Sequence, residues 1–279
     1  MTGILLHLLA ASFYAALALW FRHAGRTPEN GGQAPSKSPS MSRPQRLTLL
    51  AAIVLHGFAL HSAMFADGSM RFGFGPSVSM IVWLAICFYW IETLYASLQG
   101  LQSFALPAGA VASLLPLLMP GQLVLVNADS PAFRAHFIVA MLAYSLFTLA
   151  VLHAMLMAIA ERQLHSGKIS PSIAKLPPLM TMEALLFRLI GIAFVLLTLT
   201  LGSGILFSEA LFGKAFRFDH KTVFAIISWA LFGVLLLGRR IRGWRGRIAL
   251  RWTLAGFIAL MLAYVGSRFV LEVLLQRAG

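Results

Sequence analysis

The sequence predicts an all-α integral membrane protein, a polytopic bundle of eight transmembrane helices with the N-terminus and the C-terminus both outside. Three observations lead there. Of the 279 residues, 59% are hydrophobic and only 11% are charged, and the mean hydropathy is +0.83; soluble domains carry about 25% charged residues. The apolar residues come in blocks of roughly 20, the length that crosses a bilayer as a helix. Period-two alternation is absent, which argues against a barrel, and in lipid a helix pairs each backbone group within its own segment.

The first block, 3–21, has no basic stretch before it; Arg22, His23 and Arg26 follow it instead. That order reads as a retained first helix starting outside rather than a cleaved signal peptide. Residues 22–46 are rich in Pro, Gly and Ser and read as a flexible cytoplasmic linker without a site, inside what is otherwise a single transmembrane domain over 1–279. The second block, 47–65, carries His56 and His61, which at 100° per residue stand about 140° apart and share no face. The third, 77–98, holds Glu92 and the single Cys87, and one thiol excludes an intrachain disulfide or a CxxC relay. The fourth, 104–119, contains Pro107 and Pro116 and is expected to be short and bent or broken. The fifth, 135–160, opens at His136 and reaches His153 about 25 Å deeper. Pro177 and Pro178 stop any helix before the sixth block, 184–207. The seventh, 220–238, opens at His220, and the eighth, 252–275, holds Arg268 and Glu272 four residues apart.

A net charge of +13 invites a nucleic-acid reading, but its distribution excludes one. With the N-terminus outside, fourteen of the 22 Lys and Arg residues fall in the inner connections, 22–46, 99–103, 161–183 and 239–251. That is the positive-inside bias; the basic loops report orientation and no nucleic acid is expected. His7, His56, His61, His153 and Glu92 lie within spans, where ionisable groups need a reason, and the sequence assigns none of them a role.

His136 and His220 each open a long apolar run at the same, outer side. Imidazole is the usual protein ligand for haem iron, so a converging pair marks a metal- or haem-handling protein. Two histidines also suit zinc, but a closed zinc site wants four ligands, and no acidic or Cys cluster completes one. Between the sixth and seventh spans, Phe212, Phe216 and Phe218 alternate with charged residues up to Asp219. They anchor a loop at the interface or form a flat platform for a macrocycle. Arg268 either pairs with Glu272 on its own helix or holds a carboxylate of a bound ligand.

Several stretches carry a family resemblance. Asp219-His220-Lys221-Thr222-Val223-Phe224, Ser228-Trp229, and Gly238-Arg239-Arg240 with Gly243-Trp244 form one group. His136 with LAYSLFTLA at 142–150, Glu161-Arg162, LPPL at 176–179, FVLLTLTLGSG at 194–204 and GSRFVLEVLL at 266–275 form the others. Together they cover most of 136–275, and they resemble the cytochrome c assembly transmembrane family, which includes CcsA and CcmC, most closely its HemX/YpjD-like branch. The resemblance implies non-covalent, b-type haem held at the outer face with His136 and His220 as axial iron ligands. It also implies a haem-facing segment at 208–219, haem-synthesis or cytochrome-assembly proteins as partners beside the lipid bilayer, and residence in a bacterial cytoplasmic membrane. The chain departs from the family in having Phe212, Phe216 and Phe218 where the haem handlers carry tryptophans; phenylalanine keeps the flat apolar face and loses the indole donor. In this reading the protein binds and positions haem for transfer or for control of haem supply, and is not an enzyme. Arg268, Lys214, Arg217 and Lys221 are cations for propionates, and Asp219 is a candidate hydrogen-bond acceptor for His220. Two other functions stay open: a solute or ion transporter built on the intramembrane histidines and Glu92, and a ligand-free scaffold whose basic 239–251 loop docks a partner or lipid.

Overall fold

The computed structural model describes residues 2–24, 41–65, 70–95, 100–121, 123–124, 128–167, 176–206, 208 and 219–275. Its helices are α1 (Thr2–Ala24), α2 (Arg43–Met64), α3 (Phe74–Tyr95), α4 (Gln102–Leu118), α5 (Pro131–Ser166), α6 (Leu179–Leu206), α7 (His220–Arg242) and α8 (Gly246–Met261). Two-residue strands β1 (Arg71–Phe72) and β2 (Leu123–Val124) pair antiparallel between α2 and α3 and between α4 and α5. Seven of the helices are long and apolar enough to cross a membrane, and the eighth apolar helix, α4, has 17 residues. The chain is therefore a multi-pass helical membrane protein.

Local sequence sets the ends. Ser42 donates its backbone N–H to the Gln45 side chain (3.0 Å), with Pro44 in the first turn of α2. The Ser130 hydroxyl accepts from the Phe133 N–H ahead of Pro131, and Asp219 caps α7. Gly167 and Gly243, with φ of 67° and 65°, end α5 and α7 in the left-handed region. Two expectations change. Helix α4 is continuous through Pro107 and Pro116 rather than broken, each proline removing one backbone donor. Helix α5 has 36 residues, about 54 Å of rise against a hydrocarbon core of about 30 Å, so it projects well past the predicted 135–160. The last span continues beyond Met261 in π-helical turns at Leu262–Gly266 and Phe269–Leu274, a form that apolar patterning does not reveal.

Side-chain contacts fix the helix directions. The His7 Nδ1–H donates to the Ser113 carbonyl, joining the start of α1 to the end of α4. Trp83 and Trp90 donate to the Ile53 and Arg46 carbonyls, laying α3 antiparallel to α2. Ser228 donates to the Gly256 carbonyl between α7 and α8, and Tyr144 to the Leu260 carbonyl between α5 and α8. The starts of α1, α3, α5 and α7 thus share one face with the β1–β2 ribbon. The opposite, basic face carries the α7–α8 turn and the start of α6.

Two cores fill the bundle. One joins α1, α2, α4 and parts of α3 and α5 around Tyr14, Leu49, Ile86, Tyr89, Leu106 and Leu149. The other joins α5, α6, α7 and α8 around Phe147, Leu186, Ile190, Phe232 and Leu260. Phe88 of α3, Met157 of α5 and Leu189 of α6 pack against both.

Candidate functional site

His136 stands in the second turn of α5, half-buried against the end of α6. Its Nδ1 lies 2.8 Å from Ser203 Oγ, and the Ser203 hydroxyl donates to the Thr200 carbonyl at 3.1 Å. The serine proton being spent on Thr200, Ser203 Oγ accepts from an Nδ1–H, and the ring lone pair sits on Nε2, the atom a metal uses. The imidazole lies over Gly204, where a Cβ would approach its Cε1 to 3.6 Å. A larger residue at 204 would crowd the ring.

His220 opens α7 at the same face and is exposed. Phe147 of α5 and Phe232 of α7 stack with ring centroids 3.8 Å apart. From that contact His136 lies eleven residues back along α5 and His220 twelve back along α7, so both helices climb about 16–18 Å to reach them. By helix rise the two parallel helices put the backbones of His136 and His220 at about one level.

Asp219 has a task that the sequence expectation did not include. Its Oδ1 accepts from the Thr222 N–H (3.0 Å) and the Thr222 hydroxyl (3.1 Å), which makes it the N-cap of α7. Partial burial pushes its carboxyl up, but those hydrogen bonds, Lys221 and His220 together pull it below the ordinary carboxylate value. A depressed carboxylate stabilises the fold above its unfolded value and loses that contribution as pH falls through the folded one. Asp219→Ala is expected to cost about 1 kcal/mol and Asp219→Asn a few tenths, read as thermal unfolding of purified protein; the gap between the wild type and the alanine variant narrows as pH falls through the lowered folded value of Asp219.

At the same face, Arg268 and Glu272 pair at 3.7 Å, Arg268 buried and Glu272 partly so. The Arg268 guanidinium lies 5.7 Å from the Tyr264 ring centre, and Glu272 accepts from the Phe74 N–H at 2.7 Å, fastening the start of α3. Phe72 of the ribbon links this cluster to α5, with ring centres 6.1 Å from Tyr264 and 5.0 Å from Phe137, the neighbour of His136. Phe212, Phe216 and Phe218, with Lys214 and Arg217, lie outside the described residues. Among the described residues no three His, Cys, Asp or Glu side chains gather as a bare metal site; a macrocycle that needs only axial ligands makes no such demand.

Of the remaining intramembrane groups, His56, His153 and Glu92 make interhelical bonds. His56 meets Ser79 at 2.9 Å with Tyr14 edge-on to its ring. The His153 Nε2–H donates to Glu92 at 2.9 Å, joining α5 to α3 toward the basic face. His61 is exposed beside Phe65. Sequence reasoning missed Ser203 and the aromatic cluster of Phe72, Phe133, Phe137 and Tyr264. The only signal for Ser203 was a polar residue in the last turn of an apolar span.

With this geometry in hand, the comparisons with known proteins are informative. Residues 45–275 match the family model described as cytochrome C assembly protein. The inner membrane protein YpjD of Escherichia coli (strain K12) is 31% identical over 236 residues, 82% of this chain and 86% of that protein. A 28.8 kDa protein of Azospirillum brasilense is 32% identical over 214 residues, 74% of this chain and 78% of its own length. The cytochrome c biogenesis protein CcsA of Gloeobacter violaceus is 31% identical over 92 residues, 33% of this chain and 27% of that protein. No solved structure matches the chain.

Proposed function

The chain belongs to the cytochrome c assembly family, and on that footing we propose that it binds haem non-covalently at the face where α5 and α7 begin. It serves haem transfer or control of haem supply during cytochrome c biogenesis. His136 and His220 are the residues that would hold its iron. The observation that carries this reading is the His136–Ser203–Thr200 chain, which fixes the ring tautomer so that Nε2 bears the lone pair.

Bound haem would supply an iron centre that two imidazoles could hold, chemistry suited to carriage. The protein's part is to bind and orient, not to turn over a substrate. Arg268, Lys221, Lys214 and Arg217 would be the cations that meet propionates, Arg268 by exchanging its bond to Glu272, and the phenylalanines at 212, 216 and 218 would be the residues that stack on the ring. Asp219 contributes by starting α7 so that His220 stands in its first turn. The basic face points to the cytoplasm by the positive-inside rule, which puts haem on the outer side of a bacterial inner membrane. Other assembly or haem-synthesis proteins are its partners.

Purified protein titrated with haemin is expected to give a six-coordinate bis-imidazole spectrum. His136→Ala and His220→Ala abolish it, and Ser203→Ala weakens haem affinity on the order of 10-fold by releasing the ring. His153→Ala, on a bond remote from the site, leaves the spectrum unchanged. Protein that remains colourless with excess haemin overturns the proposal.

A further inference from the structure

From Arg239 to Arg251 the chain places six arginines and no lysine, and neither the fold nor the haem reading uses most of them. Arg239 is committed to Glu183 and lies over Phe187, its guanidinium carbon 4.7 Å from the ring centre. Arg245 approaches Glu183 at 3.4 Å. Arg240, Arg242, Arg247 and Arg251 are exposed and have no ion-pair partner among the described residues.

The backbone beneath them is fixed. Gly243 and Gly246, with φ of 65° and 52°, close the α7–α8 turn. The Trp244 ring covers Gly238 so closely that a Cβ there would collide with it, and it packs on Trp252 at 5.2 Å. Arg247 and Arg251, four residues apart on α8, share a face. Directly toward the bilayer lie Ile241, Leu237 and Ile248, which are 70%, 57% and 45% exposed. Guanidinium groups thus stand above an apolar, lipid-facing wall, the arrangement of a phospholipid's phosphate above its acyl chains.

We propose that the α7–α8 turn is a binding site for an anionic phospholipid of the leaflet at the basic face, its phosphate met by Arg247 and Arg251, which share a face of α8, with Arg240 and Arg242 adding positive charge on either side of the end of α7. A positive-inside signal needs only charge, which lysine supplies equally well. Phosphate recognition rewards the planar two-pronged fork that only arginine has, and the exclusive use of arginine follows from it. Charge attraction to an anionic leaflet adds to the same binding.

Native mass spectrometry of the full chain, equilibrated with phosphatidylglycerol and phosphatidylcholine in equal amounts, tests this without haem. Wild type is expected to retain phosphatidylglycerol preferentially, and soluble glycerol phosphate does not displace it. A variant with Gln at 240, 242, 247 and 251 loses the preference by about tenfold, and the corresponding Lys variant by about threefold. Far-UV circular dichroism confirms that both variants are folded. Equal retention of the two lipids by wild type overturns the site, as does a preference that survives the Gln changes. A Lys variant that binds like wild type overturns the arginine-specific site and leaves attraction by charge alone. Displacement by glycerol phosphate makes the ligand a free phosphate and overturns the lipid.

Discussion

Glu183→Ala lowers the stability of the purified protein by about 2–4 kcal/mol, because it leaves a largely buried guanidinium without its counter-ion. Glu183 sits in the first turns of α6, its side chain 8% exposed, in contact with Arg239 from the end of α7 and with Arg245 from the turn beyond. Arg239 also lies on Phe187 and donates to the Trp244 carbonyl at 3.4 Å. One carboxylate thus ties α6, α7 and the α7–α8 turn together at the basic face. The penalty stays below that of a fully buried pair because Arg239 is 25% exposed and can move toward water. In a scan the midpoint falls on the order of 5–10 °C. The double variant Glu183→Ala with Arg239→Ala is expected to lose less than the sum of the two singles, the sign of direct coupling. A Glu183→Ala midpoint within 1 °C of wild type, about the scatter of such a scan, contradicts the ion pair's role.

Gly75→Val is the second large effect. Gly75 lies in the first turn of α3, and a Cβ there would press into the Met119 carbonyl and come within 2.8 Å of the Leu115 carbonyl at the end of α4. Those are backbone atoms, which cannot rotate away as a flexible side chain does. Gly73 and Gly121 repeat the theme, since a Cβ at Gly121 would lie 2.9 Å from the Phe72 backbone. These glycines let the chain entering α3 and the chain leaving α4 touch, and the β1–β2 ribbon forms on that contact. Overpacking of this kind costs about 1–3 kcal/mol; Gly75→Ala is expected near the lower end and Gly75→Val at or above the upper. Thermal unfolding of both variants measures it. If Gly75→Val unfolds like wild type, α3 and α4 do not meet as described.

The spans were legible because lipid imposes length and apolarity locally, one segment at a time. The eight blocks recur as eight helices, with α5 and α6 beginning several residues earlier than the apolar runs because Ser130-Pro131 and Pro177-Pro178 set their starts. The pairings between helices were not legible. Glu92 and His153 are 61 residues apart in sequence, and nothing in either neighbourhood announces the other. Glu183 read as the last residue of a polar connection and Arg239 as one charge among many in a topology count, yet they meet. Of the candidate site, the level shared by His136 and His220 followed from each residue's place at the head of a span. The Ser203 contact did not, because it depends on how far α6 slides along α5. The π-helical turns that present Arg268 and Glu272 have no sequence pattern of their own.

Helices α3 and α5 belong to both cores, and Phe88, Met157 and Leu189 are wedged into each. A carrier that works by tilting one half against the other needs a cleavage plane between them. Here that plane is crossed by shared helices and stitched by His153 and Glu92. On the haem proposal, cargo held beside His136 would therefore arrive and depart sideways, from the bilayer or from the compartment it faces, while the bundle stays shut.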